Sequence, residues 1–218
     1  MSFKTTLATA AFGISLAPVA VSAAIIDFGS GVTDGTTFTQ YSEDGFTFAV
    51  TATGKTEGAA LFSTTCVIDG VDCGGDLDLV PAVQGDDGIE DRILIRQEKG
   101  ISGVSDDAAP GGSITFTLIS GSRFRWEGVS AVDDAIYKFS TSLDGEIGGF
   151  TLGENETGQL SFSSSVLGVG DSITLYTNGS GGFDSLQLTA VPVPASLPLL
   201  LAGAGIFGFA ARRKARKG

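Results

Sequence analysis

No histidine occurs among the 218 residues. That removes every imidazole-based route: a His-centred triad, a His-bound zinc and a proton shuttle near neutral pH are all excluded. The chemistry left is that of carboxylates, hydroxyls, backbone and two thiols. Two irregular acidic stretches concentrate the carboxylates. The first, CVIDGVDCGGDLDLVPAVQGDDGIED from Cys66 to Asp91, carries Asp76 and Asp78, with Asp69, Asp72, Asp86 and Asp87 beside them. The second, EKGISGVSDDAAPGG from Glu98 to Gly112, carries Glu98, Asp106 and Asp107. Closely spaced acids on glycine-rich loops supply the hard oxygens calcium prefers, so Asp76, Asp78, Glu98, Asp106 and Asp107 are the expected calcium ligands, should the two stretches meet. An EF-hand pattern is absent, and a solvated acidic loop is the competing reading.

The two cysteines, Cys66 and Cys73, lie in the first stretch with six residues between them. In an oxidising compartment they are expected to form a local disulfide. A loop that short contributes about 2–3 kcal/mol, so the bond shapes the loop more than it holds a fold. Trp126, the only tryptophan, stands in RFRWEG beside Arg123 and Arg125; Tyr41, Tyr137 and Tyr176 are the only tyrosines. An aromatic beside polar groups is what a saccharide site needs, which makes Trp126 a ligand candidate. The same residue equally suits a core or a sheet edge.

Signatures of catalysis are lacking. There is no nucleophile elbow, P-loop or dinucleotide fingerprint. The serine-rich run from Ser161 to Ser165 has no base to activate it. A glycosidase needs only two well-spaced carboxylates, which an acidic chain offers by chance. The chain is therefore not expected to be an enzyme, with a polysaccharide-active enzyme as the remote alternative.

Charge divides the chain into regions. All twenty-five acids lie between Asp27 and Asp184, whereas six of the thirteen basic residues lie outside them: Lys4, Arg212, Arg213, Lys214, Arg216 and Lys217. The middle thus carries about 18 negative charges net, which repel phosphate backbones and argue against nucleic-acid binding. Such a surface suits cation binding or solubility in a saline medium.

The N-terminus, MSFKTTLATAAFGISLAPVAVSAA, has a positive Lys4, an apolar run and a small-residue finish at Val21-Ser22-Ala23. These are the parts of a signal peptide over residues 1–23, read by signal peptidase. At the other end, residues 196–211 are apolar and uncharged, at the lower length limit for a membrane-spanning helix. The basic stop that follows, Arg212, Arg213 and Lys214 within a tail of residues 212–218, is expected to stay cytoplasmic. Pro192 and Pro194 keep the segment before it extended, because neither helix nor central strand tolerates them.

Val191-Pro192-Val193-Pro194-Ala195, followed by a short Leu/Gly/Ala-rich span and Arg-Arg-Lys, resembles the PEP-CTERM class of bacterial sorting signals. It is closest to the variant reading Val-Pro-Leu-Pro-Ala, with Val193 in place of leucine. The resemblance covers roughly the last 28 residues. It implies a Gram-negative bacterium and an exosortase-type membrane transpeptidase that cuts near residues 191–195. The protein would be that enzyme's substrate, anchored in the membrane before release to the cell surface or extracellular matrix.

Residues 24–190 show short alternating runs separated by turn residues. Phe46, Phe48 and Val50 alternate with Thr47 and Ala49; Ile114, Phe116 and Leu118 alternate with Thr115 and Thr117. Tyr137/Phe139, Leu160/Phe162, Ile173/Leu175 and Leu186/Leu188 repeat the pattern. Period-two alternation means antiparallel sheets with one dry face, so the fold class is all-β, an antiparallel jelly-roll-type β-sandwich. The order Asp76-Leu77-Asp78-Leu79, Ile93-Leu94-Ile95-Arg96-Gln97-Glu98, Asp106-Asp107 and Gly111-Gly112 resembles modules often attached to these sorting tails, with Leu77 where those carry proline. Asp27 and Asp184, near the first and last strands, resemble the structural calcium position of carbohydrate-binding β-sandwiches, and are a second calcium candidate. The expectation is an exported structural or adhesive module stabilised by calcium; the alternative is a carbohydrate-binding module acting on exopolysaccharide.

Overall fold

A computed structural model of the chain describes residues 22–28, 36–54, 56–63, 92–98, 111–133, 135–154, 156–179 and 181–192. Twelve strands account for most of them: β1 (Ala23–Ile26), β2 (Gln40–Glu43), β3 (Phe46–Gly54), β4 (Thr56–Ser63), β5 (Arg92–Glu98), β6 (Gly112–Ser120), β7 (Phe124–Val132), β8 (Ala135–Thr141), β9 (Gly145–Thr151), β10 (Thr157–Ser161), β11 (Ser172–Gly179) and β12 (Gly182–Ala190). No helix occurs among the described residues. The strands form where β-branched and aromatic residues alternate with Thr and Ser, and tight turns join β2 to β3 and β8 to β9. At the β2–β3 turn, Asp44 (φ 49°) and Gly45 (φ 80°) both lie in the left-handed region, as a primed two-residue hairpin turn requires.

All pairings are antiparallel and make two six-stranded sheets. The first runs β10-β7-β12-β5-β4, with β1 also paired to β12; the second runs β2-β3-β6-β11-β8-β9. The β-sandwich-like all-β expectation is met at that level. Inward faces follow the alternation closely. Phe46, Phe48 and Val50 of β3, Ile114, Phe116 and Leu118 of β6, Tyr137 and Phe139 of β8, and Ile173 and Leu175 of β11 are all buried. Leu160 and Phe162 are only partly buried, because β10 is an edge strand.

Rings stitch the two sheets into one core. Phe124 of β7 meets Phe48 of β3 edge-to-face at 5.9 Å, and Trp126 of β7 meets Phe139 of β8 likewise at 5.8 Å. Phe183 of β12 meets Tyr137 of β8 at 5.4 Å. Each edge-to-face pair adds about 0.5–1.5 kcal/mol to the burial of its rings. Residues 21–192 make one compact body.

Two bulges break the alternation on the β12–β7 ladder. Between Phe183 and Ser185 the β12–β7 register shifts, which makes Asp184 the extra residue; between Gln187 and Leu188 the extra residue is Glu127 on β7. A bulge re-aims the side chains around it, and Asp184 is buried accordingly, at 5% exposure.

Candidate functional site

β12 is held on both edges near its end. Thr189 pairs with Arg125 of β7 on one side and with Ala23 of β1 on the other. Ala190 N–H donates to Ser22 O at 3.0 Å, and Val191 N–H donates to Arg123 O at 2.7 Å. The Thr189 hydroxyl donates to Glu127 Oε2 at 2.7 Å. Below these rungs, Leu186 and Leu188 are buried together with Ile26 and Ala24.

The ladder stops at Val191 because Pro192 has no N–H to donate. A protease must take its substrate as an extended strand in its own cleft, using the backbone groups of the cut segment. Along the β7 edge those groups are engaged up to Val191, whose N–H donates to Arg123 O; the rungs to Ser22 and Ala23 hold only while residues 1–23 are attached. The first backbone free of this ladder begins at Pro192, the second residue of the predicted sorting motif. Val191 and Pro192 are thus the described root of the motif. Val193, Pro194, Ala195, residues 196–211 and the basic stop Arg212, Arg213 and Lys214 lie outside the described residues.

β1 is fastened at its far end by a carboxyl cluster. Glu43 Oε2 accepts the backbone N–H groups of Asp27 (3.1 Å) and Phe28 (3.2 Å) and the Tyr41 hydroxyl (3.3 Å). Partial burial, then the hydrogen bond and negative charge of the neighbouring Asp27 carboxyl, push the Glu43 carboxyl up to about 7. Phe28 adopts φ 59° there, with its ring fully buried against Tyr41 and Phe116.

This arrangement bears on the calcium candidates. The carboxyl partner found beside Asp27 is Glu43, and Asp184 occupies the β12 bulge. No group of three or more Asp, Glu, His or Cys side chains able to hold a metal exists among the described residues. Beside Asp27 the described side chains offer the Glu43 carboxylate, one oxygen of which already accepts three hydrogen bonds. Asp76, Asp78, Asp106 and Asp107 lie outside the described residues, as do Cys66 and Cys73 and their expected disulfide; Glu98 ends β5, with its backbone alone described.

Trp126 is the plainest correction to the expected ligand site. It is fully buried, its indole N–H donates to Gly128 O at 2.8 Å, and its ring packs edge-on to Phe139 and Phe162. Its backbone N–H is taken by Ser164 Oγ at 2.9 Å. A saccharide cannot reach it. The phase of β7 explains why: Phe124 and Trp126 point inward, leaving Arg125 exposed.

Comparison with known proteins bears on the tail. Residues 190–214 match the family described as the PEP-CTERM protein-sorting motif. No curated protein matches the sequence. Among solved structures, the enzymatically active domain of bacteriophage CBA120 tailspike protein 4 aligns with a TM-score of 0.27 and 12% identity, over 66% of this chain and 19% of that one. That likeness is too slight to inform fold or activity. The family match begins at Ala190, the last residue of β12, so fold and motif abut without a spacer. From residue 190 onward the chain carries a PEP-CTERM sorting motif, which implies an exported protein handled by an exosortase-type enzyme.

Proposed function

We propose that this chain is a non-catalytic surface module, exported behind the signal peptide of residues 1–23, held briefly in the membrane by residues 196–211, and released by an exosortase-type transpeptidase to the cell surface or extracellular matrix of a Gram-negative bacterium. The observation that carries the reading is the sorting-motif match at residues 190–214, which starts where the last strand ends. The Val191–Ala195 sequence favours the Val-Pro-Leu-Pro-Ala variant of the motif. Two proline residues within it keep the cleavable backbone out of the sheet. The role of the sandwich is structural or adhesive, and a jelly-roll connectivity fits its paired six-stranded sheets. Calcium, if it stabilises the protein, belongs with Asp76, Asp78, Glu98, Asp106 and Asp107, or separately with Asp27 and Asp184.

Mass spectrometry of the extracellular protein tests this directly by reading both mature termini. The expected species begins within Ala23–Ile25 and ends within Pro192–Ala195. In a strain lacking the transpeptidase, the chain should keep residues 196–218 and stay with the membrane. Recovery of an unprocessed chain from the medium, or a C-terminus inside β12, contradicts the proposal.

A further inference from the structure

The outward face of the second sheet contains a cleft that no sorting role uses. It has a volume of about 470 Å³, and the side chains that shape it include Ser113, Ile136, Lys138, Glu146, Tyr176 and Asn178. Strand register orders the residues that matter. Tyr176 on β11 stands opposite Ser113 of β6 on one side and Lys138 of β8 on the other. Two residues along, Asn178 stands opposite Ile136, so Tyr176 and Ile136 are diagonal neighbours. Lys138 faces Gly149 across the β8–β9 ladder, and no side chain on β9 covers it at that rung. The glycine is required there, since a Cβ would stand 2.4 Å from Tyr137 O.

We propose that this cleft is a binding site for an uncharged saccharide. Three observations select that ligand class. The first is size: the volume falls within the range of small-ligand clefts. The second is surface chemistry. Ile136 is 43% exposed, and with the Tyr176 ring it offers apolar surface to the C–H face of a pyranose. Around them, the Asn178 amide donates and accepts, Lys138 only donates, Glu146 only accepts, and the hydroxyls of Ser113, Ser140 and Thr174 do both. A sugar hydroxyl also does both, and vicinal hydroxyls meet such mixed partners in pairs.

Charge is the third observation. Among the described residues, Lys138 and Glu146 are the only charged members of the lining, and they neutralise each other at 3.5 Å. The rest of the protein is strongly acidic. A uronate or sulfate polymer would approach against that field and find no net positive charge at the cleft. An uncharged chain pays no such penalty. The site also sits on hydrogen-bonded strands, so its groups are held in place before the ligand arrives.

The inference deepens the adhesive half of the proposed role, yet it reads out on purified protein and is independent of sorting. The test uses the full chain, solubilised in a non-glycosidic detergent, on an array holding neutral and uronate-bearing glycans, followed by calorimetric titration of the hits. We expect retention on neutral glycans alone. Tyr176→Ala and Asn178→Ala should each weaken binding at least tenfold, with melting temperatures confirming that both variants fold. Lys138→Met tests the same cleft from its exposed side, should Tyr176→Ala unfold. Absence of binding to every neutral glycan, selective binding to uronates, or neutral-glycan affinity unchanged in folded Asn178→Ala and Lys138→Met would each overturn the assignment. None of these results alters the mature termini, so failure here and failure of the sorting proposal are separable.

Discussion

Replacing Glu43 by glutamine should flatten the neutral part of the protein's pH–stability profile. Glu43 ties the end of β1 to β2, and its carboxyl is pushed up from 4.5 to about 7 by partial burial and by Asp27. The folded state therefore keeps a proton that the unfolded chain has released. Wherever the folded state binds more protons, stability falls as pH rises. The contribution is fully present below about pH 4.5, declines between 4.5 and 7, and is gone above that. A rise of this size corresponds to about 3 kcal/mol if the site were sealed from water. Glu43 is partly exposed, and screening reduces the figure to about 1 kcal/mol. For a body of this size that amounts to a fall in melting temperature of about 2–4 °C between pH 5 and pH 8.

Glu43→Gln keeps the acceptor for the Asp27 and Phe28 amides and the Tyr41 hydroxyl, and its new N–H₂ can donate to the Asp27 carboxylate. The variant should thus match the wild type at pH 5 and exceed it at pH 8. Thermal melts followed by circular dichroism, on both proteins at pH 5, 6, 7 and 8, measure the difference. Comparing the two proteins cancels the other carboxylates, including Asp144, whose influence runs the opposite way. Parallel profiles for wild type and variant would refute the reasoning, because the titrating group would then lie elsewhere. Asp27→Asn should remove part of the slope only, since burial is the larger cause and persists.

Asp144 Oδ2 accepts the Ser165 N–H (2.8 Å) and the Thr141 hydroxyl (2.9 Å), and Oδ1 accepts the Ser165 hydroxyl; these bonds, Ser165 first, hold its carboxyl below the usual range. Its contribution is present at neutral pH and lost as pH falls through the depressed value; because the carboxyl is exposed and screened, Asp144→Asn should cost at most about 0.5 kcal/mol at pH 7 and progressively less in acid, measured by urea titration. Trp126→Ala should cost about 3–5 kcal/mol in the same titration. Trp126→Phe should fold and leave any neutral-glycan affinity intact, whereas loss of affinity in a folded Trp126→Phe protein would count against the cleft. If calcium occupies the acidic stretches, millimolar calcium should raise the melting temperature by several degrees, and Asp76→Asn with Asp78→Asn should abolish the rise; a melting temperature indifferent to calcium removes the ion from the account.

How much of this could be read from residues alone depended on whether the information was local. Period two in Phe46-Phe48-Val50 or Ile114-Phe116-Leu118 is local, and each of these side chains is buried on the face its alternation predicts. The sorting signal is local too, since Val191 and Pro192 act through backbone chemistry that any neighbour would leave unchanged. Trp126 was ambiguous because RFRWEG shows alternating charge and aromatics without saying which set turns inward. The answer depends on β7 lying between β10 and β12, a property of the whole sheet. Asp184 shows the same limit: only the bulge opposite Ala131 and Ser130 decides that it is buried.

The carboxyl cluster and the cleft escaped sequence reading for a related reason. Asp27 and Glu43 are sixteen residues apart, and only the placement of β1 and β2 brings their carboxyls together. Ser113, Lys138 and Tyr176 are separate outward residues of three strands, each unremarkable as the wet half of an alternating run. They become a row through the β6–β11–β8 register. A shift of one residue in either pairing would turn Tyr176 against a different pair and dissolve the row. The register is set by the buried residues between them: Ile114, Phe139 and Leu175 must all face the core at once. The dry face, which is legible in the sequence, thus fixes the wet face, which is not. Substitutions confined to the outer side chains should therefore change what the cleft binds while leaving the sheet that carries it unchanged.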